Sequence, residues 1–234
     1  MTVGAQAEVF IDAFEFVIDN ADLVARKTVE HLELSGAAIG VSLAIAVPLG
    51  VWLGHVHRGS FLAINVGNLG RALPSLALLA FGLPLFGISF TNVLVALVVL
   101  AVPPMLTNAY TAVDGVDRDA VEAARGMGMS PLQVLLRVEL PLAMPLVFAG
   151  IRTSSVYVVA TATIAAIAGG GGLGDIIVNQ ASYRLEGVIG AAMCVSALAL
   201  TVDLALAGVQ RLVTPEGPHR STPGLEPDLA PRDI

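Results

Sequence analysis

Long apolar runs separated by short polar stretches dominate the chain, and their lengths predict its elements. Residues 34–54 carry no charge and match the ~20 residues that a helix needs to cross a bilayer, so they predict a first span. Residues 61–81 predict a second, interrupted by Arg71 and Pro74, and residues 91–110 a third. Residues 141–168 and 188–212 predict a fourth and a fifth. Leu83–Phe90, with Pro84 and Gly87, reads as a short turn. Residues 1–33 hold seven acids and two bases. Val9, Phe10, Phe14, Val17 and Ile18 form a weak helical stripe there, too charged to span. The start lacks the basic region and cleavage site of a signal peptide. Residues 1–30 therefore read as an interfacial helix or as one packed on the rest of the domain. Residues 213–234 hold five prolines and mixed charge, and are expected to be disordered.

Composition agrees with a bilayer location. Of 234 residues, 56% are hydrophobic and 13% charged, and mean hydropathy is +0.81. A soluble domain carries about 25% charged residues. The length suits one domain, 31–212, of an all-α integral membrane protein. Net charge is −7, but the acids concentrate at the two ends. The single cysteine, Cys194, lies in an apolar run, so neither a disulfide framework nor a metal cluster is expected. His55 and His57 follow the first span at i, i+2 and do not share a helical face, so a wet loop fits better than a metal site.

The polar stretch 111–138 is the most informative. Asp117 is a plausible N-cap, with Asp119 in the first turn. Ala120, Val121, Ala124 and Met127 fall on one helical face, and Gly126 and Gly128 end the helix. Ser130, Pro131 and Gln133 form the capping box of a second helix. The result is two short helices joined by a glycine elbow outside the membrane.

Glu122-Ala123-Ala124-Arg125-Gly126-Met127-Gly128, followed by Leu140-Pro141, resembles the cytoplasmic coupling loop of ABC importer permeases. In that family the loop docks into a groove on the ATPase. The resemblance implies that Asp117, Glu122, Ala123, Ala124, Arg125, Gly126, Gly128, Leu140 and Pro141 couple this chain to such a subunit. Residues 71–79, Arg-Ala-Leu-Pro-Ser-Leu-Ala-Leu-Leu, are similar to a segment of the osmoprotectant permeases, which import glycine betaine, choline, carnitine and related solutes. So is the glycine run 169–174, which has no Lys-Ser/Thr after it and no strand before it, and is not a phosphate loop.

What the resemblance implies is a type I ABC importer permease fold of about five transmembrane helices in the bacterial cytoplasmic membrane. Its partners would be a cytoplasmic ATPase carrying ATP and Mg, an extracytoplasmic substrate-binding protein and a second permease copy, identical or homologous. The chain itself would bind no cofactor, metal or nucleic acid and would not be an enzyme. With the elbow cytoplasmic, the amino end lies outside and the carboxyl end inside. Arg58, Arg118, Arg125, Arg137, Arg211, Arg220 and Arg232 then face in, against Arg26, Lys27 and Arg184 outside, in accord with the positive-inside rule.

Candidate pathway or gate residues follow from polarity within the spans. Arg71, with Pro74 and Ser75 beside it, either faces the pathway or snorkels to water. Arg152 suits pore lining. Ser154, Tyr157 and Thr161 repeat at helical spacing and serve either as helix glue or as pore lining. Apart from Arg71 and Arg152, no fixed charge lies at mid-membrane, which suits a small net-neutral solute such as a betaine. Only 5% of residues are aromatic, so an aromatic cage for a quaternary amine is expected on the binding protein. Amino-acid permeases of the methionine type are the nearest alternative. A secondary transporter should show an inverted repeat and intramembrane carboxylates; no repeat is visible, and only Asp203 lies within a span.

Overall fold

Helix rather than strand is what a lipid-embedded backbone requires, since every N–H and C=O must be paired internally. The computed structural model describes residues 3–214 apart from residues 60, 62–64, 66, 69, 71 and 72, with side chains from Glu8 onward. Among these there is no strand. The elements are α1 (Val3–Asp19), α2 (Ala21–His55), α3 (Ser75–Phe86), α4 (Phe90–Asp114), α5 (Arg118–Gly126) and α6 (Pro131–Val134). A π-helical turn (Leu135–Glu139) leads into α7 (Leu140–Ala165), and a 3₁₀ turn (Ala166–Ala168) ends it. Then come α8 (Gly174–Val178) and α9 (Gln180–Val213).

Four stretches are long and apolar enough to cross a membrane: α2, α4, Pro131–Ala168 and α9. They correspond to the first, third, fourth and fifth expected spans. The second, 61–81, is described only in part; α3 is its 12-residue apolar continuation. The expected disordered segment falls outside the described residues beyond Thr214.

Close backbone contact builds the core. On α2, Ser35, Ala38, Ser42, Ala46, Gly50 and Gly54 recur every three or four residues and are all buried. A Cβ on Gly50 would lie 2.7 Å from the Leu106 carbonyl oxygen of α4, and one on Gly54 2.8 Å from that of Tyr110. Lipid tails are as apolar as leucine, so spanning helices associate through such fit rather than through the hydrophobic effect. Leu34, Leu97, Met105, Leu106 and Val158 complete the buried cluster between α2, α4 and α7.

Three elements extend past the expected boundaries. Helix α2 begins at Ala21, before the first apolar run, because nothing there breaks it. Asp22, Arg26 and Glu33 point outward while Val24, His31 and Leu34 stay buried. Helix α3 runs through Pro84 to Phe86, and the chain turns only at Gly87, whose φ of 65° favours glycine. Helix α9 starts at Gln180 and breaks at Arg184 (φ 57°). The amino-terminal helix packs on the protein, with Ala13 buried and Phe16 edge-on to Tyr183 at 6.3 Å. It also leaves Phe10, Phe14 and Ile18 exposed.

Candidate functional site

Local hydrogen bonding shapes the elbow. The Asp119 N–H donates to the Asp117 carboxylate at 2.9 Å, which caps α5. At its other end the Gly128 N–H donates to the Arg125 carbonyl at 2.9 Å and the Met129 N–H to that of Ala124 at 3.2 Å. That pair of bonds is a Schellman stop, with Gly128 left-handed at φ 82°. Gly126 is the last helical residue and Met127 the cap, so Gly128 alone supplies the left-handed turn. The capping box forms: the Gln133 N–H donates to Ser130 Oγ at 3.4 Å, and the Ser130 N–H to Gln133 Oε1 at 2.8 Å.

One face of the elbow is a small core of Val121, Ala124 and Val134, with Val116, Met129 and Val138 against it. The other is open. Glu122, Ala123, Arg125, Gly126 and Gly128 are exposed. Met127 is also exposed, at 73%, rather than joining the apolar face, and Leu132 is 63% exposed. The exposed apolar side chains of Met127 and Leu132 are thus flanked by the charges of Glu122 and Arg125. Leu140 and Pro141, both half-buried, start α7 directly after the π turn.

Within the bundle, a cavity of about 310 Å³ opens between α4 and α7. Leu100, Pro104 and Asn108 line one wall, Thr153, Ser154 and Tyr157 the other, with Gly70 beside them. Ser154 is fully buried, and its Oγ has no hydrogen-bond partner among the described residues. Thr161 is buried one turn beyond Tyr157, outside this lining. Arg152 lines a different cavity, of about 430 Å³, with Asp203. Its Nε and Nη2 donate to the two Asp203 carboxylate oxygens at 2.9 and 2.8 Å, and Nη1 to Gln210 Oε1 at 3.2 Å. This two-pronged pair joins α7 to α9 and cancels both charges. Pro74 caps α3 and is exposed, and Ser75 opens the helix half-buried. Arg71 lies outside the described residues.

The profile of one family, described as the binding-protein-dependent transport system inner membrane component, matches residues 46–215. The chain belongs to this family. It is 42% identical over 207 residues to the choline transport system permease protein OpuBB of Bacillus subtilis (strain 168), covering 88% of this chain and 95% of that protein. It is 42% identical over 203 residues to the glycine betaine/carnitine/choline transport system permease protein OpuCB of the same organism, covering 86% and 94%. The osmoprotectant import permease protein OsmW of Salmonella typhimurium (strain LT2) is 35% identical over 216 residues, covering 88% and 99%. In fold, the chain is similar to the inward-facing MetNI methionine ABC transporter, with TM-score 0.73, 23% identity, and coverage of 82% of this chain and 97% of that one. At that identity the likeness concerns the fold alone.

Two fastenings in this inner membrane component have no counterpart in the sequence reading. At the elbow end, His55 Nδ1 donates to Glu139 Oε2 at 2.5 Å, and His57 Nδ1 to Asp114 Oδ1 at 2.8 Å. Glu139 is 1% exposed. His55 is therefore no part of a wet loop: it closes α2 and ties it to the π turn, whereas His57 lies in an exposed turn, as expected, and reaches α4 from there. A cavity of about 310 Å³ beside them is lined by His57, Arg118, Glu122, Arg125 and Glu139. At the opposite end, Lys27 Nζ donates to Glu30 at 2.8 Å and to Asp175 at 2.6 Å. The Gly172 N–H donates to Glu30 Oε2 at 3.0 Å, so the glycine turn is held against α2. The buried His31 Nε2–H donates to the Val159 carbonyl of α7 at 2.9 Å. These partners lie 84, 57, 148, 142 and 128 residues apart, beyond any local signal.

Proposed function

We propose that this chain is the permease of an ATP-driven importer that carries a small osmoprotectant, such as choline or glycine betaine, across the cytoplasmic membrane. The elbow at 117–130 is the single observation that carries the coupling. It presents Glu122, Ala123, Arg125 and Met127 outward from α5 and its C-cap, and its other face is already filled by its own core. A surface so built has a protein partner, and a cytoplasmic ATPase holding ATP and Mg fits that role. Closure of two ATPases would move two elbows, and through the π turn and α7 would rock the spans between inward- and outward-open states. A second permease completes the pathway, and a binding protein delivers solute from outside.

The solute class rests on the relatives named for choline, glycine betaine and carnitine. The lack of net charge along the described path supports it, since Arg152 and Asp203 cancel. The pathway residues in this reading are Ser154 and Tyr157, with Arg71, Pro74, Ser75 and Thr161 as further candidates; Arg152 braces α9. Orientation follows the arginine bias, with the amino end outside and the carboxyl end inside.

Radiolabelled uptake by the complex reconstituted with ATPase and binding protein tests the solute, with choline, betaine, methionine and histidine compared. ATP-dependent uptake of a quaternary amine is expected. Uptake of methionine or histidine alone would overturn the solute class. For orientation, in a Cys194→Ala background, a cysteine at Asp12 should react with an impermeant reagent added outside and one at Arg211 should not; equal labelling would refute the topology.

A further inference from the structure

Two adjacent prolines sit inside α4, at 103 and 104. Proline has no N–H, so each removes the donor that the carbonyl four residues back would use. Pro104 leaves Leu100 without its helical donor, and both residues line the cavity between α4 and α7. Within a membrane, such freed backbone is tolerated where side chains satisfy it or where it borders a cavity. The second holds here, since Leu100 lines the cavity. Asn108 Nδ2 donates to the Pro104 carbonyl at 2.8 Å, and Thr107 Oγ1 to that of Pro103 at 2.9 Å; these are the prolines' own carbonyls, not the ones their rings leave without a donor.

The opposite wall is complementary. Ser154 Oγ is fully buried and unpartnered among the described residues, and the Tyr157 ring is 43% exposed. Gly150, one turn from Ser154, lets α4 and α7 approach, since a Cβ there would lie 2.4 Å from Asn108 Cβ. None of the described lining residues carries a formal charge. The described lining thus offers the backbone of Leu100, hydroxyl oxygens and one aromatic face, and no cationic donor among the described residues.

We propose that this cavity is a station for the quaternary ammonium group of the solute during its passage. The proposal rests on the permease reading above and names the atoms that meet the solute. A quaternary ammonium has no N–H and spreads its charge over its methyl groups. It is attracted to partial negative charge and to aromatic faces rather than to a single acceptor. A bare anion would find no cationic partner among the described lining residues. A volume of about 310 Å³ is at the small end of ligand pockets and suits one small molecule with its water.

The test is choline transported per ATP hydrolysed by the reconstituted complex with its binding protein. Tyr157→Leu removes the ring and is expected to lower the ratio about tenfold, the scale of a desolvated cation–π contact. Tyr157→Phe keeps the ring and should lose no more than about twofold by the same argument. Pro104→Ala returns an N–H to the Leu100 carbonyl and should lower the ratio as well. Phe81, 74% exposed on α3, supplies the control: Phe81→Leu also deletes a ring and should leave the ratio unchanged. A parental ratio in Tyr157→Leu, or equal losses in the Leu and Phe variants, would overturn the station alone. Failure of the unsubstituted complex to transport any quaternary amine would overturn both readings.

Discussion

Gly128 separates the elbow's folding from its docking. Its φ is 82°, where an L-residue clashes with its own backbone. For an ordinary residue that costs roughly 1–2 kcal/mol. A Cβ built there meets nothing within 4 Å, so within this chain the strain is the whole penalty, whatever the side chain beyond it. Gly128→Ala and Gly128→Leu should therefore destabilise the isolated permease alike, by about 1–2 kcal/mol. Gly128→Asn should cost less, because asparagine tolerates positive φ. If the elbow docks on an ATPase, the leucine variant carries a further penalty in the complex that the alanine variant does not. The assay is thermal unfolding of each purified variant, followed by ATPase retention and solute uptake. Expected are similar melting shifts for alanine and leucine, with ATPase retention and uptake falling sharply only for leucine. Equal retention by the two variants would refute the docking role of this face, and a much larger melting shift for leucine would refute the claim of open space.

His55→Ala strips the buried Glu139 carboxylate of its partner and should destabilise by about 3 kcal/mol, the scale for breaking a buried pair; thermal unfolding reads it, and a shift under ~1 kcal/mol, typical of an exposed pair, would show that water already solvates Glu139. Gly54→Leu forces a side chain against the Tyr110 backbone, 2.8 Å from the Cβ position, and should cost at least the ~1–3 kcal/mol of an overpacked core, seen as loss of folded protein from the membrane. Lys27→Asp should loosen the glycine turn by ~1 kcal/mol, as for a partly exposed pair, with partial recovery in Lys27→Asp/Asp175→Lys; no recovery in a double-mutant cycle would mean that Lys27 acts through Glu30 alone.

Much of the architecture is decided within a few residues along the chain, and so was legible in the sequence. Uncharged runs at 34–54 and 91–110, and the run 141–168 with Arg152 as its one charge, mark spans because a charge in hydrocarbon is costly whatever surrounds it. The caps at Asp117 and Ser130 and the stop at Gly128 depend on groups two to five residues apart, so residue type and spacing sufficed. What only the tertiary structure decided is the rotation and register of one helix against another. The serine and tyrosine stripe on α7 left glue and pore lining open; packing buries Ser154 and Thr161 but sets Ser154 and Tyr157 across from Pro104. Arg152 had the composition of a pathway charge, yet Asp203, 51 residues on, occupies it. His55 gave no hint of Glu139, since helix–helix contact in lipid is selected by shape and small residues such as Gly50 and Gly54. Those residues let the ends of α2 and α4 close, and that closeness brings distant polar groups within bonding reach.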